Sequence, residues 1–178
     1  MNNASDCIEV IKSRRSVRTF APWDVTEEDL HAILETAFCA PSANNARPWH
    51  LVVVRDREVR ERLADLHAYS GFVAGAPVVV AVCGDRQRSP DHWVEDCSAA
   101  AQNMLLASHA LGLASCWIGV RANDEAQQGF LRRVLELPEH IGVIALLPIG
   151  HPGSTPSSRP VIIPPSRLHF ERFGRPQA

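Results

Sequence analysis

The sequence predicts a single α+β domain in which helices flank a central sheet. The chain has 178 residues, the size of one domain, and 46% of them are hydrophobic, enough for a sizeable core. Segments with helical periodicity alternate along the chain with short β-branched runs. The predicted domain spans residues 1–178, of which 151–178 form an extended C-terminal arm.

Helical periodicity predicts five helices. In chain order they span residues 5–14, 26–38, 57–67, 91–111 and a last stretch from 123 or 124 to 135. Ser5, Thr26 and either Asn123 or Asp124 are the polar residues that cap the first, second and fifth. Apolar side chains recur at helical spacing in the third helix. The alanine-rich fourth helix, the longest, ends at Gly112.

Apolar, β-branched runs predict four strands. They span residues 50–55, 77–83, 114–120 and 141–149. Gly84 ends the second strand and Pro138 precedes the fourth, as is typical of turn residues. After Gly150, prolines and polar residues exclude a regular element, so the arm is either disordered or lies on another surface. Its apolar residues favour docking, for example on a partner subunit.

The composition excludes several classes of protein. A formal net charge of -2 and a pI near 6.4 leave no basic surplus for general nucleic-acid binding. Polar residues interrupt any signal-peptide core near the start, and no apolar run is long enough to cross a membrane. The five cysteines are odd in number and lack a C-x-x-C pair, which favours reduced thiols in a cytoplasmic protein.

The sequence predicts neither a metal site nor a reactive thiol. The eight histidines show no metal-binding spacing, so no metal site is predicted and His50, His109 and His140 are interpreted as structural. Cys116 has neither a neighbouring base nor a resolving cysteine, and we interpret it as a buried, inert thiol.

A basic segment, residues 14–20, is the first candidate for a functional site. Arg14, Ser16 and Arg18 alternate along it, so in extended chain they lie on one side. Guanidinium groups bind phosphate oxygens bidentately and a serine hydroxyl adds one more donor. The alternative is a solvated basic patch paired with the acidic residues that follow, which are Asp24, Glu27, Glu28 and Asp29.

A turn-rich loop, residues 40–49, is the second candidate. Pro41, Ser42, Asn44 and Asn45 are turn formers whose amides and hydroxyl could face a heteroaromatic ring. The loop leads into a predicted buried strand, which holds the end of the loop in a fixed position. The alternative is an ordinary connection between a helix and a strand.

These segments together carry a resemblance to a known family. R-R-S-x-R-x-F at 14–20 and A-P-S-x-x-N-x-x-P-W at 40–49 are followed by D-C-S-A-A-A-Q-N-M-L-L-A-S-H-A-L-G at 96–112 and by L-A-S-C-W-I-G at 113–119. Leu-Pro at 137–138 and I-G-H-P at 149–152 complete the order. The chain resembles the FMN-dependent nitroreductases over roughly residues 8 to 175. Six weak motifs in one order make the resemblance specific.

The resemblance implies an architecture and a set of FMN-binding residues. The sheet is expected to be mixed and largely antiparallel, and the protein a homodimer that exchanges its C-terminal segments. Arg14 and Ser16 are expected to hold the FMN phosphate with Arg15 alongside, while Arg18 approaches the pyrimidine side of the ring. The remaining FMN contacts are expected from Pro41, Ser42, Ala43, Asn45, Arg47, Trp117, Ile118 and Gly119. Those from the loop are expected to come from the partner subunit.

Two positions depart from the family pattern. Family members often carry Gln where this chain has Arg47, which either binds an anionic substrate, alters the redox potential or supports the loop. The family also often has an arginine near the C-terminus that completes the phosphate site. Ile162 falls near that position here, and either Arg159 or Arg167 is expected to substitute.

The resemblance implies an NAD(P)H oxidoreductase. NADH or NADPH reduces bound FMN, which then reduces a nitroaromatic, quinone or enone. The flavin carries the chemistry, so no side chain is expected to be an obligate acid or base. The alternatives are a flavin-binding module without turnover, or a family variant that fragments flavin or reductively dehalogenates its substrate.

Overall fold

The computed structural model describes residues 4–155, 157 and 160–175, and in this part of the chain it contains five helices and five strands. The helices are α1 (Ala4–Ser13), α2 (Glu27–Phe38), α3 (Arg57–Ala64), α4 (Trp93–Ala110) and α5 (Glu125–Leu135). The strands are β1 (Trp49–Val54), β2 (Val78–Asp85), β3 (Ala114–Ser115), β4 (Ile118–Gly119) and β5 (Ile141–Gly150). Short 3-10 turns lie at Ala43–Asn45, Gly71–Gly75 and Pro165–Arg167.

The strands form one sheet in the order β1-β2-β5-β3, with β4 also paired to β5. Every pair of strands is antiparallel. The basic segment adds an isolated parallel bridge between Ser16 and Ser115. The predicted α+β fold with a mixed, largely antiparallel sheet is therefore confirmed.

Alternation along β2 and β5 separates two apolar cores. Val80 and Leu147 face the side on which α2 and α4 pack, through Ile33 and Met104 among others. The next residues, Val79 and Leu146, face the opposite side, which α3 and α5 cover through Leu63 and Leu131. Because successive side chains point to opposite faces, a strand buried on both sides is apolar throughout. All ten residues of β5 are buried.

Two predicted helix caps are confirmed. The hydroxyl of Thr26 accepts the backbone N–H of Asp29 at 3.0 Å and donates to the Asp29 carboxylate at 2.8 Å. The carboxylate of Asp124, rather than Asn123, caps α5 by accepting the N–H of Gln127 at 3.1 Å. Each arrangement satisfies a backbone donor that the helix itself leaves without a partner.

Other boundaries differ from the prediction. Helix α1 begins at Ala4, so Ser5 lies inside its first turn rather than at the predicted cap position before it. Helix α3 ends at Ala64, three residues early, and α4 begins at Trp93. The predicted strand 114–120 is two short strands, because the register places Cys116 opposite Pro148. Proline has no N–H to donate, and the ladder is interrupted there.

The C-terminal arm follows β5 without regular strands or long helices. Its start is tied to the basic segment, since Gly153 N–H donates to the Thr19 carbonyl at 2.9 Å. Farther along, the apolar side chains of Val161, Ile162 and Ile163 are 66–75% exposed. No helix among the described residues is long and apolar enough to cross a membrane.

Candidate functional site

The basic segment runs in extended conformation beside β3. The N–H of Val17 donates to the carbonyl of Ser115 at 3.0 Å, and the Val17 side chain is buried while Ser16 and Arg18 are exposed. Because alternate side chains of an extended chain point in opposite directions, the segment presents two different sides.

Arg14, Ser16 and Arg18 lie around one thiol. Burial raises the pKa of Cys116, and the charges of Arg18 and Arg14 and a hydrogen bond with Ser16 offset this only in part. A thiol with a raised pKa is a poor nucleophile, which agrees with the inert role expected for Cys116. The same three side chains were predicted to share one side of the segment.

Arg15 belongs to the other side. Its guanidinium donates to the carbonyls of Lys12 at 2.6 Å and Arg14 at 2.8 Å, so it caps the end of α1. Nearby, His109 Nε2 and Ser13 Oγ are 2.8 Å apart. Burial, followed by the charges of Arg14 and Arg15, lowers the pKa of His109. His109 therefore has a structural place at the junction of α1 and α4.

The guanidinium groups of Arg14 and Arg18 are not neutralised. Within the described residues neither has a carboxylate partner or a hydrogen bond, and Arg18 lies 5.9 Å from the centre of the Phe72 ring. Of the acidic residues that follow, Glu27 pairs with Arg55 at 2.9 Å and the Asp29 carboxylate accepts the hydroxyl of the cap residue Thr26 at 2.8 Å. The basic patch paired with downstream acids is not what the structure shows, so two cations beside a hydroxyl remain for an external anion.

Gly119 lies on the same edge of the sheet. Strands β3 and β4 both pair with β5, so Trp117, Ile118 and Gly119 continue the line of β3, beside which the basic segment runs. Gly119 is exposed, and a Cβ built there would come no closer than 3.6 Å to another atom, on Trp117. The space in front of Gly119 is therefore open within this chain.

The loop 41–47 has a strained backbone. Asn44, Asn45 and Arg47 adopt φ values of 51°, 54° and 48°, in the left-handed region that glycine normally occupies. Two hydrogen bonds within the loop hold this shape. The Ser42 hydroxyl accepts the Arg47 N–H at 3.0 Å, and Asn45 Oδ1 accepts the Arg47 Nε–H at 2.8 Å. Strain of this kind persists only where the surroundings enforce it.

Asp96 holds the loop 41–47 in its strained conformation. This residue was not predicted from the sequence. Its carboxylate is 5% exposed and accepts the N–H of Ala43 at 2.8 Å and the hydroxyl of Ser89 at 3.0 Å. A signal was present in the sequence, because Asp96 shares a helix face with the apolar Trp93 and Ala100. A carboxylate on a buried stripe needs donors from elsewhere in the fold.

Helix α4 separates the two candidate segments. Asp96, in its first turn, holds the loop 41–47, whereas His109, in its last turn, contacts Ser13 just before the basic segment. At 1.5 Å per residue these positions are about 20 Å apart along the helix. The structure therefore places Arg14, Ser16 and Arg18 around Cys116, with Gly119 three residues after Cys116, and holds the loop 41–47 at the opposite end of α4.

The C-terminal candidates lie in the arm. Arg167 ends the last 3-10 turn and is exposed, and its guanidinium has no hydrogen-bond or ion-pair partner among the residues described. Arg159 lies outside the described residues. No group of three or more His, Cys, Asp or Glu side chains in the described ranges is arranged to hold a metal ion.

Comparison with known proteins identifies the class. Residues 11–71 and 65–151 match the model of the Nitroreductase family, and the chain belongs to the nitroreductase family. A provisionally named NADH dehydrogenase/NAD(P)H nitroreductase of Methanothermobacter thermautotrophicus is 42% identical over 170 residues, which cover 94% of this chain and 88% of that protein. An NADPH-flavin oxidoreductase of Vibrio harveyi is 31% identical and is aligned over 90% of this chain and 70% of its own length.

Solved structures agree with this membership. An FMN-dependent nitroreductase of Clostridium difficile superposes with a TM-score of 0.88 at 32% identity, covering 93% of this chain and 99% of that one. The NADPH:FMN oxidoreductase of Vibrio harveyi complexed with NAD+ superposes with a TM-score of 0.83 at 28% identity, covering 97% and 80%.

Proposed function

We propose that this chain is a single-domain, FMN-dependent NAD(P)H oxidoreductase that works as a homodimer. The observation that carries the proposal is the pair of unneutralised guanidinium groups, Arg14 and Arg18, which flank the Ser16 hydroxyl beside an open glycine. Relatives named for flavin and NAD(P)H chemistry share the fold over nearly the whole chain.

The described residues fit FMN at two points. A phosphate needs several donors and positive charge, which Arg14 and Ser16 supply, whereas Arg15, expected alongside them, lies on the other side of the segment and caps α1. A planar ring needs close approach to backbone, which the exposed Gly119 permits next to Trp117 and Ile118. Arg167 or Arg159 of the arm would complete the phosphate site.

A second copy of the chain supplies the rest of the site. Asp96, which anchors the loop 41–47, and His109, which contacts Ser13 just before the basic segment, are about 20 Å apart along α4, so the two segments lie near opposite ends of this helix. In the proposed dimer, the loop of one protomer covers the flavin held by its partner. The exposed apolar stretch Val161–Ile163 supports exchange of the C-terminal arms, because such a stretch is normally covered.

Each part of the protein has a physical role in turnover. FMN, when bound, accepts a hydride from NAD(P)H and passes the electrons to the second substrate. Arg18 places positive charge beside the pyrimidine side of the ring, where it favours uptake of negative charge. Pro41, Ser42, Ala43 and Asn45 position the ring from the partner. The proposed acceptors are nitroaromatics, quinones or enones, and no side chain has to transfer a proton.

FMN binding tests the proposal. The purified protein is expected to be yellow, and Arg14→Ala combined with Ser16→Ala is expected to raise the Kd for FMN at least about a hundredfold, because two charge-assisted contacts are lost. Fluorescence titration of FMN measures the change. Arg57→Ala is the control, since Arg57 is exposed and pairs only with Glu61 on its own helix. A colourless protein that does not bind added FMN would contradict the proposal.

Stopped-flow reduction separates the enzyme from a flavin-binding module. Bound FMN is expected to bleach when NADH or NADPH is mixed with the protein under anaerobic conditions. Reoxidation by a panel of acceptors then identifies the second substrate. If neither donor reduces the flavin, the protein is a binding module without turnover.

A further inference from the structure

A second pair of unneutralised arginines lies at the loop 41–47, at the far end of α4. Arg88 belongs to the turn between β2 and α4, and its Nε donates to the carbonyl of Ala46. Arg47 donates its own Nε to Asn45 Oδ1 at 2.8 Å. Both guanidinium groups are thus anchored to adjacent residues of one loop.

The anchoring leaves donors on both groups. A guanidinium carries five N–H bonds, and the contacts to Ala46 and Asn45 use the Nε–H of each. Within the described ranges, the terminal nitrogens of Arg47 and Arg88 have no hydrogen-bond or ion-pair partner, and both residues are exposed. These terminal nitrogens form the fork that matches a phosphate or a carboxylate.

Two acidic residues near this loop, Asp85 and Asp96, are engaged with other donors. Asp85 accepts the backbone N–H groups of Gln87 at 2.8 Å and Arg88 at 3.0 Å. Asp96 is buried beneath the loop and binds Ala43 and Ser89. No carboxylate in the described part of the chain is within ion-pair distance of Arg47 or Arg88.

Backbone strain at Arg47 adds an independent observation. Arginine has no special tolerance for a φ of 48°, and the left-handed conformation costs on the order of 1 kcal/mol. The Ser42 hydroxyl and Asn45 nevertheless hold Arg47 in this conformation. Such strain clusters at ligand-binding sites, where it fixes the direction of a side chain.

We propose that Arg47 and Arg88 bind an anionic group, a phosphate or a carboxylate, carried by a substrate that lies against the flavin. This inference rests on the proposed function, which places the loop 41–47 over the flavin of the partner. It divides the four arginines between two tasks. Arg14 and Arg18 face the cofactor, whereas Arg47 and Arg88 select the molecules that exchange electrons with it.

Matched variants and matched substrates test the inference. Arg47→Gln and Arg88→Gln, alone and combined, each retain a donor for the loop contact and lose the charge. Arg62→Gln is the control, because Arg62 is an exposed residue of α3, beyond the opposite end of β1. One substrate pair is para-nitrobenzoate and para-nitrobenzyl alcohol, which differ in charge. The other pair is NADPH and NADH, which differ by one phosphate.

The expected result is a change of selectivity. In the combined variant, either the ratio of kcat/KM for nitrobenzoate over nitrobenzyl alcohol or the ratio for NADPH over NADH falls about tenfold, as expected for loss of charge-assisted contacts. The first outcome identifies an acceptor carboxylate, the second the extra phosphate of NADPH. Equal weakening of both dinucleotides, with both acceptors unaffected, identifies their shared pyrophosphate.

Calorimetry gives a readout that does not depend on turnover. In the combined variant, the Kd for FMN-loaded protein is expected to rise for the same anion, para-nitrobenzoate, NADP+ or NAD+, whose kcat/KM falls. In Arg62→Gln these Kd values are expected to equal those of the unaltered protein. If no anion binds more weakly to the combined variant, or all four substrates change alike, the inference is wrong. A protein whose kcat/KM values for the neutral acceptor, NADPH and NADH are all normal, with both ratios constant, overturns this inference and leaves the proposed function standing. Failure of the flavin to accept electrons overturns the proposed function itself.

Discussion

At the residue scale, Asp96 connects the strained loop to the rigid core. Its buried carboxylate gathers one donor from the loop and one from Ser89. A hydrogen bond between residues 53 positions apart has no local signature, so the sequence pattern indicates a carboxylate on a buried helix face but not the donors that it binds. Caps such as Thr26 were predictable because donor and acceptor lie within one turn.

Asp96→Ala is expected to destabilise the protein by about 2 kcal/mol, because it leaves the buried donors of Ala43 and Ser89 without an acceptor. It is also expected to weaken FMN binding, since the loop is released. Urea unfolding and FMN titration measure the two effects. Asp96→Asn is the matched control, because its amide can accept from Ala43 and donate to the Ser89 oxygen. Unchanged FMN affinity in Asp96→Ala would show that the loop does not depend on this anchor.

Gly119, unlike Asp96, is not needed for the stability of the fold. Gly119→Ala is expected to leave the free energy of unfolding within about 1 kcal/mol, because the added Cβ meets only Trp117 at 3.6 Å. It is expected to raise the Kd for FMN about tenfold, because the methyl group occupies the space of the ring. Thermal unfolding measures the change in stability, and FMN titration measures the change in Kd. Gly129→Ala adds the same methyl group against Arg133 at 3.6 Å and is expected to leave FMN binding unchanged.

At the element scale, the edge of the sheet that carries Gly119 depends on a side chain. The amide of Gln128 in α5 accepts the N–H of Val143 at 2.9 Å and donates to its carbonyl at 2.8 Å. The register between β2 and β5 shifts beside this point, at Val82/Cys83. Gln128, which is 3% exposed, thus acts as a substitute strand partner for β5.

Gln128→Leu is expected to cost about 2 to 3 kcal/mol, because both backbone groups of Val143 lose a buried partner while the side-chain volume is kept. Urea unfolding measures the cost. Hydrogen exchange is expected to accelerate at Val143 and in β4 next to it. Gln127→Leu, at the neighbouring but more exposed position, should have a much smaller effect. Equal losses at the two positions would argue against the role of Gln128.

An element could be predicted from the sequence where its bounds depend on nearby residues, and not where they depend on a distant strand. The elements that depend on local periodicity and caps, such as α2, α5 and β5, were predictable. The split between β3 and β4 was not, because it depends on which strand lies opposite and on Pro148 within that strand. The boundary of α3 was missed because Leu66 continues the helical pattern after the helix has ended.

At the scale of the whole molecule, residue types alone indicated the candidate segments, whereas only the family resemblance assigned the loop to the partner subunit. The separation of the two segments depends on the direction and length of α4, which contacts Ala43 near one end and Ser13 near the other. Residue patterns do not encode that distance, so the fold adds independent support for the proposed site between two copies.

The length of α4 also has a genetic consequence. A chain with Arg14→Ala and Ser16→Ala is defective in one half-site, and a chain with Asp96→Ala is defective in the other. In a mixed dimer, one site would combine the altered basic segment of one chain with the altered loop anchor of the other. The second site would contain only unaltered residues. Two inactive parents should therefore complement each other, with half of the FMN sites restored in each mixed dimer. Co-expression with two affinity tags and flavin quantification would measure this stoichiometry, and complete absence of restored flavin would assign each site to one chain.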